Sequence, residues 1–295
     1  MPDRPIPYDE MIRIPTGTSG ALSIKHEAKP AGYEAFLAFP RSMLLGGQPA
    51  GRVKFDHTTV WHSLCEEGRG VWMTSAPVEQ EQHWRALEDA TGRVLVGGLG
   101  LGMAANILHV LDDVDEIVIV EKSQEVIDLV WEHTDRDKAT IICADLHEWL
   151  ELEHESTPTF DLAFYDIWQS DSERTFWDHV VPLRQRTNAA GLADEIVCWN
   201  EDVMLGQLAM SLHSRTLSFY GAMRGMGDGN SQRVALTAKT DSIWTEWSRP
   251  FFESLERHDV VQDAAVRAIN DYLGMVAWPG RDRCWEIMAD ERWGS

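Results

Sequence analysis

Cysteine is scarce in this 295-residue sequence: there are four, Cys65, Cys143, Cys198 and Cys284, and no two form a C-x-x-C pair. That excludes a disulfide scaffold and the usual zinc and dithiol motifs. Two of the four lie in strand-like runs, and all four are expected to be buried thiols in a reducing compartment. Basic residues are also short, 26 Lys+Arg against 48 Asp+Glu for a formal charge of -22, and the acid excess lies mostly beyond residue 75. Such a field repels phosphate backbones and anionic headgroups, so neither nucleic acid nor a membrane surface is an expected partner. A small molecule, a cationic substrate or a basic protein patch is compatible with it, as is plain solubility. Met1 to Glu10 has no apolar stretch of the secretory kind. Val94 to Leu111 is uncharged, yet its alternating glycines, Asn106 and His109 fit a strand, a turn and a helix better than a membrane span. The expectation is a soluble, cytoplasmic protein. No nucleophile elbow, P-loop or catalytic Cys/His pair is visible. His147, Glu151 and His154 miss the H-E-x-x-H spacing, so no metal site is expected.

What is present is an ordinary globular composition, 44% hydrophobic and 25% charged, in a chain long enough for a substantial core. Residues 1–76 read as a small β-rich portion, with short apolar runs at Met11 to Ile14, Val53 to Phe55 and Val71 to Met73 between Gly and Pro. A helix follows over Glu79 to Ala90, with His83, Leu87 and Ala90 on one face. Residues 77–204 alternate strands and helices at βαβ steps, the strands being Arg93 to Val96, Glu116 to Val120, Thr140 to Cys143, Leu162 to Tyr165 and Glu195 to Cys198. Short buried strands joined by crossover helices predict a Rossmann-like α/β fold, a doubly wound, mostly parallel sheet. Residues 205–295 read as a mainly helical extension that begins with a helix over Val203 to Leu212. Further helices are expected at Ile243 to Arg257 and Val261 to Leu273. Phe219 to Met223 and Arg233 to Ala238 form a hairpin candidate across a Gly-rich loop at 225–230. The Trp residues of this part would serve a partner contact, a homo-oligomer included, or its own core.

The densest chemical signal is Val94-Leu95-Val96-Gly97-Gly98-Leu99-Gly100-Leu101-Gly102, an apolar strand running into glycines just before a helix. Glycine there permits a sharp turn and close approach of a ligand. A dinucleotide-type G-x-G-x-x-G needs a small residue where this chain has Met103, and the G-x-G-x-G spacing of Gly98, Gly100 and Gly102 matches adenosylmethionine sites instead. Glu121 ends the second strand 23 positions beyond Gly98, where a carboxylate can accept from both hydroxyls of a ribose. Asp145 ends the third. It can accept from an adenine amino group with the Leu146 N–H facing a ring nitrogen, or it can cap the next helix. Asp166 ends the fourth strand, at the edge where open α/β sheets bind ligands, placed to hold a cationic amino group of ligand or substrate. Trp168 either walls that pocket or packs beneath the following helix.

On these residues, 92–200 resemble class I S-adenosylmethionine-dependent methyltransferases, specifically their spermidine-synthase-like branch, and Gly70 to Met73 with Pro77 to Ala90 extends the resemblance upstream. The resemblance implies S-adenosylmethionine as cofactor. Gly98, Gly100 and Gly102 would cradle its methionine part, Glu121 the ribose and Asp145 with Leu146 the adenine, while Asp166 borders the substrate. Spermidine synthases carry an aspartate in the glycine loop where this chain has Leu101. Their Asp-Ser-Thr-Asp-like run is replaced by Asp166-Ile167-Trp168-Gln169-Ser170-Asp171. Both departures point away from aminopropyl transfer and toward methyl transfer to a small-molecule or protein acceptor. If a proton must leave the acceptor, Asp166 and Asp171 are the candidate catalytic bases and His83 the third. A polyamine aminopropyltransferase, a nicotinamide-dependent oxidoreductase using Glu121 for its ribose, and a non-catalytic binding protein of the same fold remain the alternatives.

Overall fold

The computed structural model describes residues 5–37, 51–152, 159–170, 175–201 and 204. Its centre is a five-stranded parallel sheet of β7 (Gly92–Gly97), β8 (Val114–Glu121), β9 (Ala139–Cys143), β10 (Phe160–Tyr165) and β11 (Ala193–Cys198), in the order β11-β10-β7-β8-β9. These are the five strands expected from the apolar runs, each longer by one to three residues. Val94, Leu95, Ile117, Ile119, Ala163 and Phe164 are fully buried, as unbroken apolar strands must be when both faces are covered. The chain builds outward from β7 to β9, then crosses back to lay β10 on the other side of β7. The winding direction therefore reverses between β7 and β10, and the carboxyl ends of those two strands frame the crevice where such sheets take ligands. Gly97 stands opposite both Val120 and Tyr165, so the three strands end level with one another.

The crossovers are short: α1 (Pro77–Leu87) precedes β7, α2 (Met103–His109) joins β7 to β8, and α3 (Gln124–Val130) joins β8 to β9. Next, α4 (Leu146–Trp149) follows β9 and α5 (Val181–Ala190) precedes β11. Pro77 opens α1 at a position where its missing N–H costs nothing, and Ser123 caps α3 by accepting the Val126 N–H. The helix expected over Glu79 to Ala90 thus begins two residues earlier and ends at Leu87, where the chain turns toward Gly92. Its buried face carries Gln80, His83, Trp84 and Leu87.

The N-terminal portion is β-rich as expected. β1 (Gly17–Ser19), β2 (Leu22–Lys29), β5 (Thr59–Glu66) and β6 (Gly70–Thr74) form an antiparallel sheet, and β3 (Glu34–Phe36) pairs with β4 (Arg52–Lys54) as a separate hairpin. Met11 to Ile14, one of the apolar runs on which the β-rich reading rested, forms no strand. Met11, Ile12 and Ile14 are buried in the main core, but side chains rather than a ladder satisfy the backbone: the Asn106 amide donates to the Met11 carbonyl at 2.7 Å and His26 Nε2 to that of Ile14 at 2.7 Å. Cys65 and Cys198 are buried thiols, whereas Cys143 is exposed, against expectation, because it is the last residue of edge strand β9. By contact density the chain divides into Met1–Ser170 with Pro182–Asn200, and Asp171–Val181 with Glu201–Ser295. In the second unit the described residues include a π-helical turn, Phe176–Val180. The helices and the hairpin expected after residue 204, and Asp171 and His154, lie outside the described residues. Among the described residues no helix is long and apolar enough to cross a membrane.

Truncating Ile119, fully buried in the middle of β8, leaves a cavity between sheet and helices. Ile119→Ala is expected to lower stability by about 2–5 kcal/mol, read as a lower urea midpoint; a loss under about 1 kcal/mol would contradict the packing described.

Candidate functional site

The glycine turn leaves β7 at the reversal point. Gly98 sits at φ 94°, in the left-handed region, and a Cβ there would lie 2.4 Å from the backbone oxygen of Asp166. Only glycine lets the turn pass so close beneath the end of β10. At Gly100 and Gly102, also at positive φ, a Cβ would meet Met73 Sδ and Thr134 Oγ1, each at 2.6 Å. The glycines are therefore required by the chain's own packing. The turn's amides are largely committed as well: Gly98 donates to Val120 O at 2.9 Å, Gly102 to Leu99 O at 2.8 Å, and Leu101 to the weak acceptor Met73 Sδ at 3.3 Å.

The carboxylate of Glu121 clasps this turn to the next one. Its Oε2 accepts the Leu99 N–H at 2.8 Å and its Oε1 the Ser123 N–H at 2.7 Å, while the residue is only 9% exposed. No cationic side chain pairs with it among the described residues. Each oxygen keeps one lone pair beyond its amide, so two further hydroxyl donors can be met by one side chain. Asp145 stands at the end of β9 and shows the capping geometry: Oδ1 accepts the His147 N–H at 2.9 Å and the Glu148 N–H at 3.3 Å, and Oδ2 accepts from Lys122 Nζ at 2.7 Å. The Lys122 hydrogen bond, ahead of the opposing effect of burial, holds the Asp145 carboxyl below the usual range. The Leu146 side chain is buried against Gly97, where a Cβ would approach it to 2.5 Å.

Asp166 follows β10 with its N–H on Gly97 O at 2.9 Å, which brings it beside the glycine turn. Its Oδ2 lies 3.0 Å from Nε2 of His83, a ring 1% exposed on α1. Nδ1 of His83 lies 2.9 Å from the carbonyl oxygen of Glu79, and Phe164 and Trp199 pack on the ring with centroids 5.8 and 5.7 Å away. One turn up α1 the Glu79 carboxylate accepts the N–H and the hydroxyl of Thr74 at 3.0 and 2.5 Å. Burial pushes Glu79 above the usual carboxylate range, against the Thr74 hydrogen bonds. For His83, burial is the largest influence and works downward, but Asp166 and the Glu79 carbonyl outweigh it, and the ring holds its proton above the ordinary imidazole range. Sequence reasoning had His83 only as a third candidate base and did not place Glu79, Met73 or Thr134 at the site. The one available signal was a histidine on the apolar face of α1, one turn beyond an acid. Trp168 is buried.

The parallel strand order and the helices that flank the sheet define a doubly wound α/β fold of the Rossmann-like class. No family model matches the sequence, and no curated protein matches it. Solved structures that it resembles include methyltransferases and spermidine synthases. With spermidine synthase from Thermotoga maritima it shares 15% identity over 56% of this chain and 62% of that one, with a TM-score of 0.28. For precorrin 8W decarboxylase from Methanobacterium thermoautotrophicum the figures are 16%, 38%, 55% and 0.27. For a dimethyladenosine transferase from Plasmodium falciparum they are 16%, 31%, 32% and 0.22. In each of these three the match spans less than two thirds of the other chain.

The raised His83 group ties stability to pH. Its contribution is complete below its unfolded pKa near 6.5 and is lost as pH rises through the higher folded value. Wild type is therefore expected to lose more stability than His83→Gln between pH 6 and pH 9. Urea midpoints measured at both pH values check this, and parallel losses in the two proteins would refute it.

Proposed function

We propose that this protein is an S-adenosylmethionine-dependent methyltransferase acting on a small-molecule or protein acceptor. The observation that carries the reading is the Glu121 clasp: a buried carboxylate at the end of β8, tied to a glycine turn at the reversal point of the sheet, with lone pairs left for a ribose diol. The residues present fit that group. Gly98, Gly100 and Gly102 shape the turn on which its methionine part would lie, Glu121 would take the ribose, and Asp145 and Leu146 at the end of β9 would border the adenine. The Lys122 partner of Asp145 is 76% exposed, so that ion pair is weak and open to exchange. Asp166 would border the acceptor.

Bound there, adenosylmethionine supplies an electrophilic methyl group on sulfur. The chain's own work is positional: the clasped turn and the Asp166 backbone fix the donor side of the crevice, and Asp166 Oδ1 orients an acceptor group. Holding two reactants in line contributes several kcal/mol to a displacement without a strong base. Leu101 in the turn offers no carboxylate to a decarboxylated cofactor, which favours methyl over aminopropyl transfer.

Adenosylmethionine or adenosylhomocysteine at 100 times Kd is expected to stabilise the protein by about 2.7 kcal/mol, seen as a rise in Tm. Glu121→Ala should abolish the rise. Because Glu121 also braces two amides, Glu121→Gln is the companion variant; it should stay folded yet bind more weakly. No heat of binding by calorimetry with millimolar ligand would overturn the reading.

A further inference from the structure

The contacts of His83 fix its protonation without reference to any titration. Nδ1 faces the carbonyl oxygen of Glu79 and Nε2 faces a carboxylate oxygen of Asp166, and neither a carbonyl nor an ionised carboxylate can donate. A neutral imidazole has one N–H and would leave one of these buried contacts as a lone pair against a lone pair. A proton must therefore be shared by His83 and Asp166. Imidazole binds it more strongly than a carboxylate by roughly 2.6 pKa units in water, so His83 is the group that carries it. The other groups around the ring are the aromatic faces of Phe164 and Trp199 and the Glu79 carboxylate, whose two oxygens are engaged by Thr74. None of them can replace Asp166 as partner for the Nε2 proton.

We propose that His83 is a buried imidazolium that fixes Asp166 and offsets its charge, so that the site selects an acceptor presenting an uncharged N–H or O–H group over a cationic amine. The inference rests on the reading of Asp166 as the residue that borders the acceptor. His83 is then a positioning residue rather than a base, because it has no lone pair to receive a proton. Asp166, one oxygen held by His83, offers Oδ1 as a fixed hydrogen-bond acceptor. A diamine brought to this carboxylate would find its charge already matched by a cation 3.0 Å away. Removing the imidazolium uncovers that charge whatever the state of Glu79.

The test has two arms on the full-length protein. Nitrogen-15 NMR of ring-labelled wild type at pH 7.5 should show both nitrogens of His83 protonated, with the assignment made by the signal lost in His83→Gln. In Asp166→Asn the ring should revert to a single neutral tautomer. Calorimetry with putrescine as the probe should give at least tenfold tighter binding to His83→Gln than to wild type. A singly protonated His83 in wild type overturns the proposal, and so does unchanged or weaker putrescine binding in a folded His83→Gln. If that variant does not fold, the ring signal that changes between wild type and Asp166→Asn supplies the assignment, and a His83 that is singly protonated in wild type, or no ring signal that changes in Asp166→Asn, overturns the proposal. Adenosylmethionine titrated into wild type keeps the two readings apart, since its failure to bind defeats the methyltransferase reading and leaves the ring result standing.

Discussion

The crevice depends on one close approach, the passage of the chain out of β7 beneath the end of β10. The Asp166 backbone oxygen stands where a side chain at residue 98 would begin, and the side chains of Leu146, on α4, and Tyr165, on β10, crowd residue 97. Two glycines therefore let the three central strands end level. That level ending places Glu121, Asp145 and Asp166 along one edge of the sheet. A side chain at residue 98 would meet the constraint twice, as backbone strain of about 1–3 kcal/mol and as a clash with the chain that carries Asp166.

Glu121 makes the approach durable. Its two oxygens take amides from the turn after β7 and the turn after β8, so the carboxylate joins two loops that have no ladder between them. Burying a carboxylate without a cation is costly unless hydrogen bonds replace its hydration. Two amides replace only part of it. On the proposed reading, the remainder is what a ligand with paired hydroxyls would complete, so that stability and binding would draw on the same side chain.

The sheet was legible in the sequence because its strands are continuous apolar runs, buried on both faces and separated by helix-length patterns. The carboxylates at the strand ends were legible for the same reason: once the runs are placed, Glu121 falls at the last position of β8 and Asp145 and Asp166 within two residues after β9 and β10. Met11 to Ile14 misled because burial, the property a run reports, does not require a ladder, and here Asn106 and His26 supply the hydrogen bonds instead. Cys143 misled because a run does not tell an edge strand from a central one. The contact between His83 and Asp166 was out of reach for a different reason. It joins positions 83 residues apart through the packing of α1 on the end of β10, and neither residue's neighbours in sequence announce the other.

That contact changes what the crevice can select. A lone aspartate at the edge of the sheet would favour cations, and the chain's strongly acidic balance would reinforce it. On the proposed reading, an imidazolium sealed behind the aspartate cancels the local part of that field, while salt screens the more distant surface charge. On that reading, hydrogen-bond geometry at Asp166 Oδ1 would set the selectivity for the acceptor. Leu101 acts in the same direction from the other side, since it places an apolar residue in the glycine turn. On the proposed reading, the two ends of the crevice thus depart from an aminopropyl-transfer pattern through unrelated residues, Leu101 on the cofactor side and the His83–Asp166 pair on the acceptor side.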